Sequence, residues 1–120
     1  MKFLVVDDSA TMRKIVSLAL TGAGHSYAEA GNGREALEAI RSGKPDCILL
    51  DINMPEMNGI DFLKVRSGDS AIKSIPVIVL TTQDEEALRA EAIGLGANGF
   101  LPKPFQKEAL LEAVKTATKL

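Results

Sequence analysis

Phe3-Leu4-Val5-Val6-Asp7-Asp8 sets four consecutive apolar residues directly before two carboxylates. The pattern returns along the chain. Cys47-Ile48-Leu49-Leu50 runs into Asp51, Val77-Ile78-Val79-Leu80 into Thr81, and Gly99-Phe100-Leu101-Pro102 into Lys103-Pro104. Short runs that are apolar at consecutive rather than alternate positions fit strands buried on both faces, the condition of a parallel sheet. A parallel sheet presents all its carboxyl ends along one edge, where open α/β sheets bind ligands. Asp7, Asp8, Asp51, Thr81 and Lys103 are therefore expected to converge. Three carboxylates, a hydroxyl and an ammonium together suit a divalent cation and a phosphoryl group.

Helix-length segments separate these runs. Met12, Ile15, Val16, Ala19 and Leu20 follow the first at the i, i+3, i+4, i+7, i+8 spacing of an amphipathic helix, which Gly22-Ala23-Gly24 stops. Tyr27 to Ala30 is less apolar and reads as a strand at the sheet edge. Asn32-Gly33-Arg34-Glu35 has capping-box spacing, with Asn32 as N-cap and Glu35 reaching back, and opens a helix carrying Ala36, Leu37 and Ile40. The third strand spans 46–51. A loop over 54–59 precedes a short helix, 59–66, buried through Ile60 and Leu63. Residues 67–74 read as a connection with a possible helical turn. After the fourth strand, 76–81, Thr82-Gln83-Asp84-Glu85 forms a second capping box for a helix with Leu88, Ala92 and Leu95 on one face, ended by Gly94 or Gly96. The fifth strand spans 98–102, and the last helix spans 106–118 with Leu110, Leu111, Val114 and Ala117. Five strand–helix repeats without a linker predict one α/β domain over 1–120. Right-handed crossovers favour a parallel sheet in the order 2-1-3-4-5, with the weak strand outermost.

Composition removes several function classes. The formal charge is −2 without a Lys/Arg cluster, which argues against nucleic acid as a partner. Asp7-Asp8 breaks the first apolar stretch too early for a signal peptide, and no run approaches the roughly 18 apolar residues of a membrane span. A lone cysteine, Cys47, sits inside an apolar run as core and suits a reducing cytoplasm. His25 is the only histidine and falls in a turn, so an imidazole metal site is not expected.

Three carboxylates about 5 Å apart would repel by roughly 3 kcal/mol per pair at an effective dielectric near 20. Three such pairs threaten a fold stable by only about 5–15 kcal/mol. A divalent cation removes the conflict, and an all-oxygen donor set favours Mg²⁺ or Mn²⁺. A carboxylate can also attack phosphorus and form an acyl phosphate. Each residue has a plainer reading as well: Asp8 as a helix cap, Thr81 or Thr82 as another, Lys103 as a surface charge.

At these positions the chain resembles the receiver domain of two-component response regulators over its whole length. The matching elements are Val5-Val6-Asp7-Asp8-Ser9, Leu50-Asp51-Ile52-Asn53-Met54-Pro55, Met57-Asn58-Gly59, Leu80-Thr81-Thr82 and Lys103-Pro104-Phe105. The resemblance implies the flavodoxin-like doubly wound (βα)5 fold, and chemotaxis members are known for the 2-1-3-4-5 order. It implies a phosphoryl group transferred from a histidine kinase to Asp51. Asp8 and Asp51 would hold Mg²⁺ directly, Asp7 through water and Asn53 through its backbone carbonyl. Thr81 and Lys103 would contact phosphoryl oxygens, and Lys103-Pro104 would be a cis peptide. Ser9-Ala10-Thr11-Met12-Arg13 looks most like stand-alone chemotaxis regulators. The chain leaves no room for a DNA-binding output domain, so signalling is expected through a protein target on the face of residues 85–118, from a monomer without enzymatic activity on other substrates.

Three positions depart from the common pattern. Thr82 is bulkier than usual beside Thr81, Phe100 occupies the aromatic switch position without a hydroxyl, and Gln106 stands where a capping side chain is common. The neutral amides Asn53 and Gln83 flank the expected path of hydrolytic water. Three rival readings fit less well. Haloacid-dehalogenase-like phosphatases resemble Asp-x-Asp, whereas Asn53 here cannot donate a proton. A flavin site would want a phosphate-cradling loop after the first strand. A degenerate receiver would lack a key residue, and none is missing.

Overall fold

The structure, a computed structural model, describes residues 1–118 except Asn53, Pro55, residues 82–85 and Pro104, and only the backbone of Thr81, Glu86 and Ala87. Strands and helices alternate as β1 (Lys2–Val6), α1 (Ala10–Gly22), β2 (Ser26–Ala30), α2 (Gly33–Ser42), β3 (Cys47–Asp51), α3 (Gly59–Ser67), β4 (Val77–Thr81), α4 (Glu86–Gly94), β5 (Gly99–Pro102) and α5 (Lys107–Thr118). The strands form one sheet in the order β2-β1-β3-β4-β5, and all neighbours are parallel. The fold is the expected flavodoxin-like one.

Strand alternation explains why each apolar run is continuous. Leu4, Val6, Ile48, Leu50, Val77 and Val79 meet Ala36, Ile40, Phe62, Leu63 and Ala92 on the face covered by α2, α3 and α4. Phe3, Val5, Cys47, Leu49, Ile78 and Leu80 meet Val16, Leu20, Leu110 and Val114 on the face covered by α1 and α5. Every strand residue of β3 is buried, whereas β2 buries only Ala30 fully, as its polar sequence and edge position require. Each large aliphatic residue so buried contributes roughly 1.5–3 kcal/mol.

Local chemistry closes the elements at four places, and only at Glu35 does the partner differ from the expected one. Ser9, not Asp8, caps α1, its hydroxyl accepting from the Met12 amide at 3.2 Å. Asn32 caps α2 as expected, but Glu35 reaches past it to accept from the Gly31 amide at 2.9 Å. The unpatterned stretch after α3 holds a turn in which Ile72 and Lys73 donate to the Asp69 carbonyl, and it buries Ile72 and Ile75. Gly96 finishes α4: its φ is +97°, its amide donates to Ile93, and the Ala97 amide donates to Ala92. This is the paired C-terminal closure that glycine makes without strain. The Thr82–Glu85 capping box lies outside the described residues.

α3 buries more than Ile60 and Leu63. Phe62 is fully covered, and Arg66 is buried without an acidic partner among the described residues. Its guanidinium donates to the Ile75 carbonyl through Nε at 3.2 Å and Nη2 at 2.7 Å, and to Gly96 through Nη1 at 3.3 Å. Burial lowers its pKa from the ordinary value, because the charged form loses hydration. Backbone carbonyls return part of that cost and join α3 to the connection before β4 and to the end of α4.

Candidate functional site

The register places the acidic residues side by side. Val6 pairs with Leu50, so Asp7 and Asp51, one residue further on, leave adjacent strands together. Asp51 in turn pairs with Leu80, and Leu80 with Leu101. Asp7, Asp51 and Lys103 each stand two residues beyond a member of the α1/α5 core face (Val5, Leu49, Leu101). The same alternation that builds this core therefore brings them to one side of the sheet edge.

There, Lys103 Nζ lies 2.7 Å from Asp7 Oδ2 and 3.5 Å from Asp51 Oδ1. Asp7 is 2% exposed and Asp51 5%. Asp8 is exposed. One carboxylate oxygen from each of Asp7, Asp8 and Asp51 falls within 4.8 Å of the others. Burial and the charges of Asp7 and Asp8 outweigh the pull of Lys103 and push the Asp51 carboxyl up to about 6. The site thus holds more negative charge than one lysine offsets. Three oxygen donors with no histidine or cysteine ligand among them fit a hard divalent cation.

Neighbouring residues fix this geometry. The Asp7 amide donates to Ala30 at 3.0 Å, and Asp7 Oδ1 accepts from the Ser9 amide at 2.9 Å. Arg13 on α1 donates to the Asp7 carbonyl and pairs with Glu29 on β2 at 3.0 Å. Gly59 donates to Ile52 at 2.9 Å. A Cβ at Gly59 would lie 2.6 Å from the Asp51 carbonyl oxygen and 2.8 Å from Ile52 Cα. Only glycine lets α3 start this close to the strand end that carries Asp51. The supporting roles of Arg13 and Gly59 went unread in the sequence, where the signals were a cation four residues after the cap and a glycine opening an apolar helix.

Of the remaining predicted residues, Thr81 ends β4 opposite Pro102, while its hydroxyl lies outside the described atoms. Asn53, Thr82, Gln83 and the Lys103-Pro104 peptide also lie outside the described residues. Phe100 pairs with Val79 on β5 and is half-buried against the α4 side of the sheet.

The sequence profile described as response regulator receiver domain matches residues 3–115. The chain belongs to that family. This receiver is 42% identical over 120 residues to the chemotaxis protein CheY of Thermotoga maritima, with 98% of each chain covered. It is 41% identical over 117 residues to CheY1 of Helicobacter pylori, covering 96% of this chain and 94% of that one. A solved structure of Vibrio cholerae CheY4 superposes with a TM-score of 0.91 at 39% identity, covering 97% of both chains. The receiver is a phosphorelay response regulator, and the phosphatase alternative of the haloacid dehalogenase type falls with this match.

Proposed function

We propose that Asp51 accepts the phosphoryl group of a sensor histidine kinase in a Mg²⁺-dependent reaction, and that the phosphorylated receiver signals by binding a target protein in chemotaxis or motility control. The observation that carries this reading is a buried carboxylate at the end of the central strand, 3.5 Å from an ammonium and inside a three-carboxylate cluster. The names of the chemotaxis relatives support the pathway.

An ionised Asp51 oxygen attacks phosphorus. The P–O bond forms as the P–N bond to the phosphohistidine breaks, and the electron pair leaves with the imidazole nitrogen. The product is an acyl phosphate. Asp8, Asp51 and the Asn53 carbonyl would hold Mg²⁺, with Asp7 acting through water; bound there, the ion supplies charge neutralisation for the transferred group. Lys103 places a second cation against the phosphoryl oxygens. Asp7 keeps that ammonium in place through their 2.7 Å contact. Thr81 donates a hydrogen bond to a phosphoryl oxygen, and Asn53 and Gln83 set how readily water reaches the acyl phosphate. The receiver acts as a cytoplasmic monomer, catalyses only its own phosphorylation and dephosphorylation, and presents residues 85–118 to its target.

Incubation with acetyl phosphate and Mg²⁺ should add one phosphoryl group to the wild type and none to Asp51→Asn. Equal labelling of the variant would remove Asp51 as the acceptor. Label transfer from candidate phosphorylated kinases would then identify the donor.

A further inference from the structure

Phe100 has no hydroxyl with which a hydrogen bond at the surface could hold the ring outward. The structure supplies a holding group. Arg89 lies on the exposed side of α4, and its guanidinium carbon sits 5.6 Å from the centroid of the Phe100 ring. The ring also packs, half-buried, against the apolar layer that includes Val79 and Ala92. A guanidinium is planar, permanently charged and weakly hydrated, so it stacks on an aromatic face at less cost than an ammonium. The contact bridges two elements, α4 and β5, that meet on the face assigned above to the target.

We propose that Arg89 is the positioning residue of the Phe100 switch, a cation–π latch that holds the ring outward in the unphosphorylated receiver. The inference rests on the proposed phosphorylation of Asp51 and adds the premise that a phosphoryl group there draws the ring inward. Turning the ring in removes the π face from beneath the guanidinium, so every inward excursion breaks the contact. An exposed cation–π contact shifts such an equilibrium by about two- to five-fold. Arg89 thereby lowers the inward fraction before phosphorylation and widens the ratio between the two forms. A hydroxyl would do the same by hydrogen bonding; here a neighbouring helix does it by charge.

The test is NMR of wild type, Arg89→Gln, Arg89→Lys and Phe100→Leu, each with and without beryllofluoride. Two signals are followed: the Phe100 χ1 rotamer ratio and the ring-current shift of the Arg89 Nε proton. In the unloaded wild type the Arg89 proton should carry a ring-current shift that Phe100→Leu abolishes. Arg89→Gln should raise the inward rotamer about two- to five-fold, with Arg89→Lys between. Arg89→Gln should leave the melting temperature near the wild-type value, which separates a latch from a structural role. An unchanged rotamer ratio in Arg89→Gln, or no ring-current shift in wild type, overturns the latch. If beryllofluoride leaves Phe100 unmoved in every variant, the coupling to Asp51 fails, while the unloaded rotamer ratios still decide whether Arg89 holds the ring.

Discussion

Asp51 combines two properties that oppose each other. It must be ionised to attack phosphorus, yet burial and two neighbouring carboxylates push its pKa from 3.8 to about 6. The folded state therefore holds the Asp51 proton more tightly than the unfolded chain does. That preference stabilises the metal-free fold in full below the unfolded pKa, and it is lost as pH rises through about 6. A difference of about two units is worth on the order of 3 kcal/mol. Asp51→Asn should thus melt above wild type in metal-free buffer at about pH 8, and the gap should shrink toward about pH 5. Parallel thermal melts check this, and a gap independent of pH would contradict it. Gly59 is constrained by space rather than charge. Gly59→Ala must displace the Asp51 carbonyl or Ile52 and should cost roughly 1–3 kcal/mol. It should also slow phosphorylation by acetyl phosphate, because the displaced atoms carry the acceptor. Urea titration and the labelling rate, measured on the same variant, separate the two effects.

The element scale shows which contacts place these residues. α1 is capped by Ser9, so Asp8 is free for the cluster. The two neighbours should then respond with opposite sign. Ser9→Ala should lose about 1 kcal/mol of stability with the cap. Asp8→Ala should melt above wild type in metal-free buffer, since a repelling charge has gone. If both variants are destabilised alike, Asp8 has a capping share after all. At the far end of the sheet, Arg66 ties α3 to the Ile75 and Gly96 carbonyls. Arg66→Met keeps most of the volume but leaves the buried Ile75 carbonyl and the part-buried Gly96 carbonyl without this donor. It should cost roughly 2–4 kcal/mol by urea titration. Hydrogen exchange in this variant should speed first in residues 72–77 and 96–99, the segments that the guanidinium joins.

For the whole molecule, the surplus of negative charge at one sheet edge makes stability depend on cations. Mg²⁺ should raise the melting temperature through binding linkage, and chelation should reverse the rise. Asp51→Asn and Asp8→Ala should each weaken the response, because each removes one oxygen charge from the donor set. A wild-type melting temperature that ignores Mg²⁺ would show that Lys103 alone balances the cluster.

How much of this was legible depends on the range of the forces involved. The strands, four of the five helices near their full length, and the convergence of Asp7, Asp51 and Lys103 follow from apolar runs and their spacing. Those signals are local, and a parallel sheet turns them into one edge whichever helices cover it. The Arg66 tie, the Gly59 approach and the Arg89–Phe100 contact were invisible, because each joins residues through space at separations that no sequence pattern records. So was the choice of Ser9 over Asp8 as cap: both residue types serve, and only the Asp7–Ser9 turn geometry decides. The sequence by itself determined the order of elements and the chemistry that could gather at their ends. Tertiary structure alone decided which carboxylate faces the lysine, which residues hold it there and which cation stacks on the aromatic ring, because these outcomes depend on distances of a few tenths of an ångström set by packing.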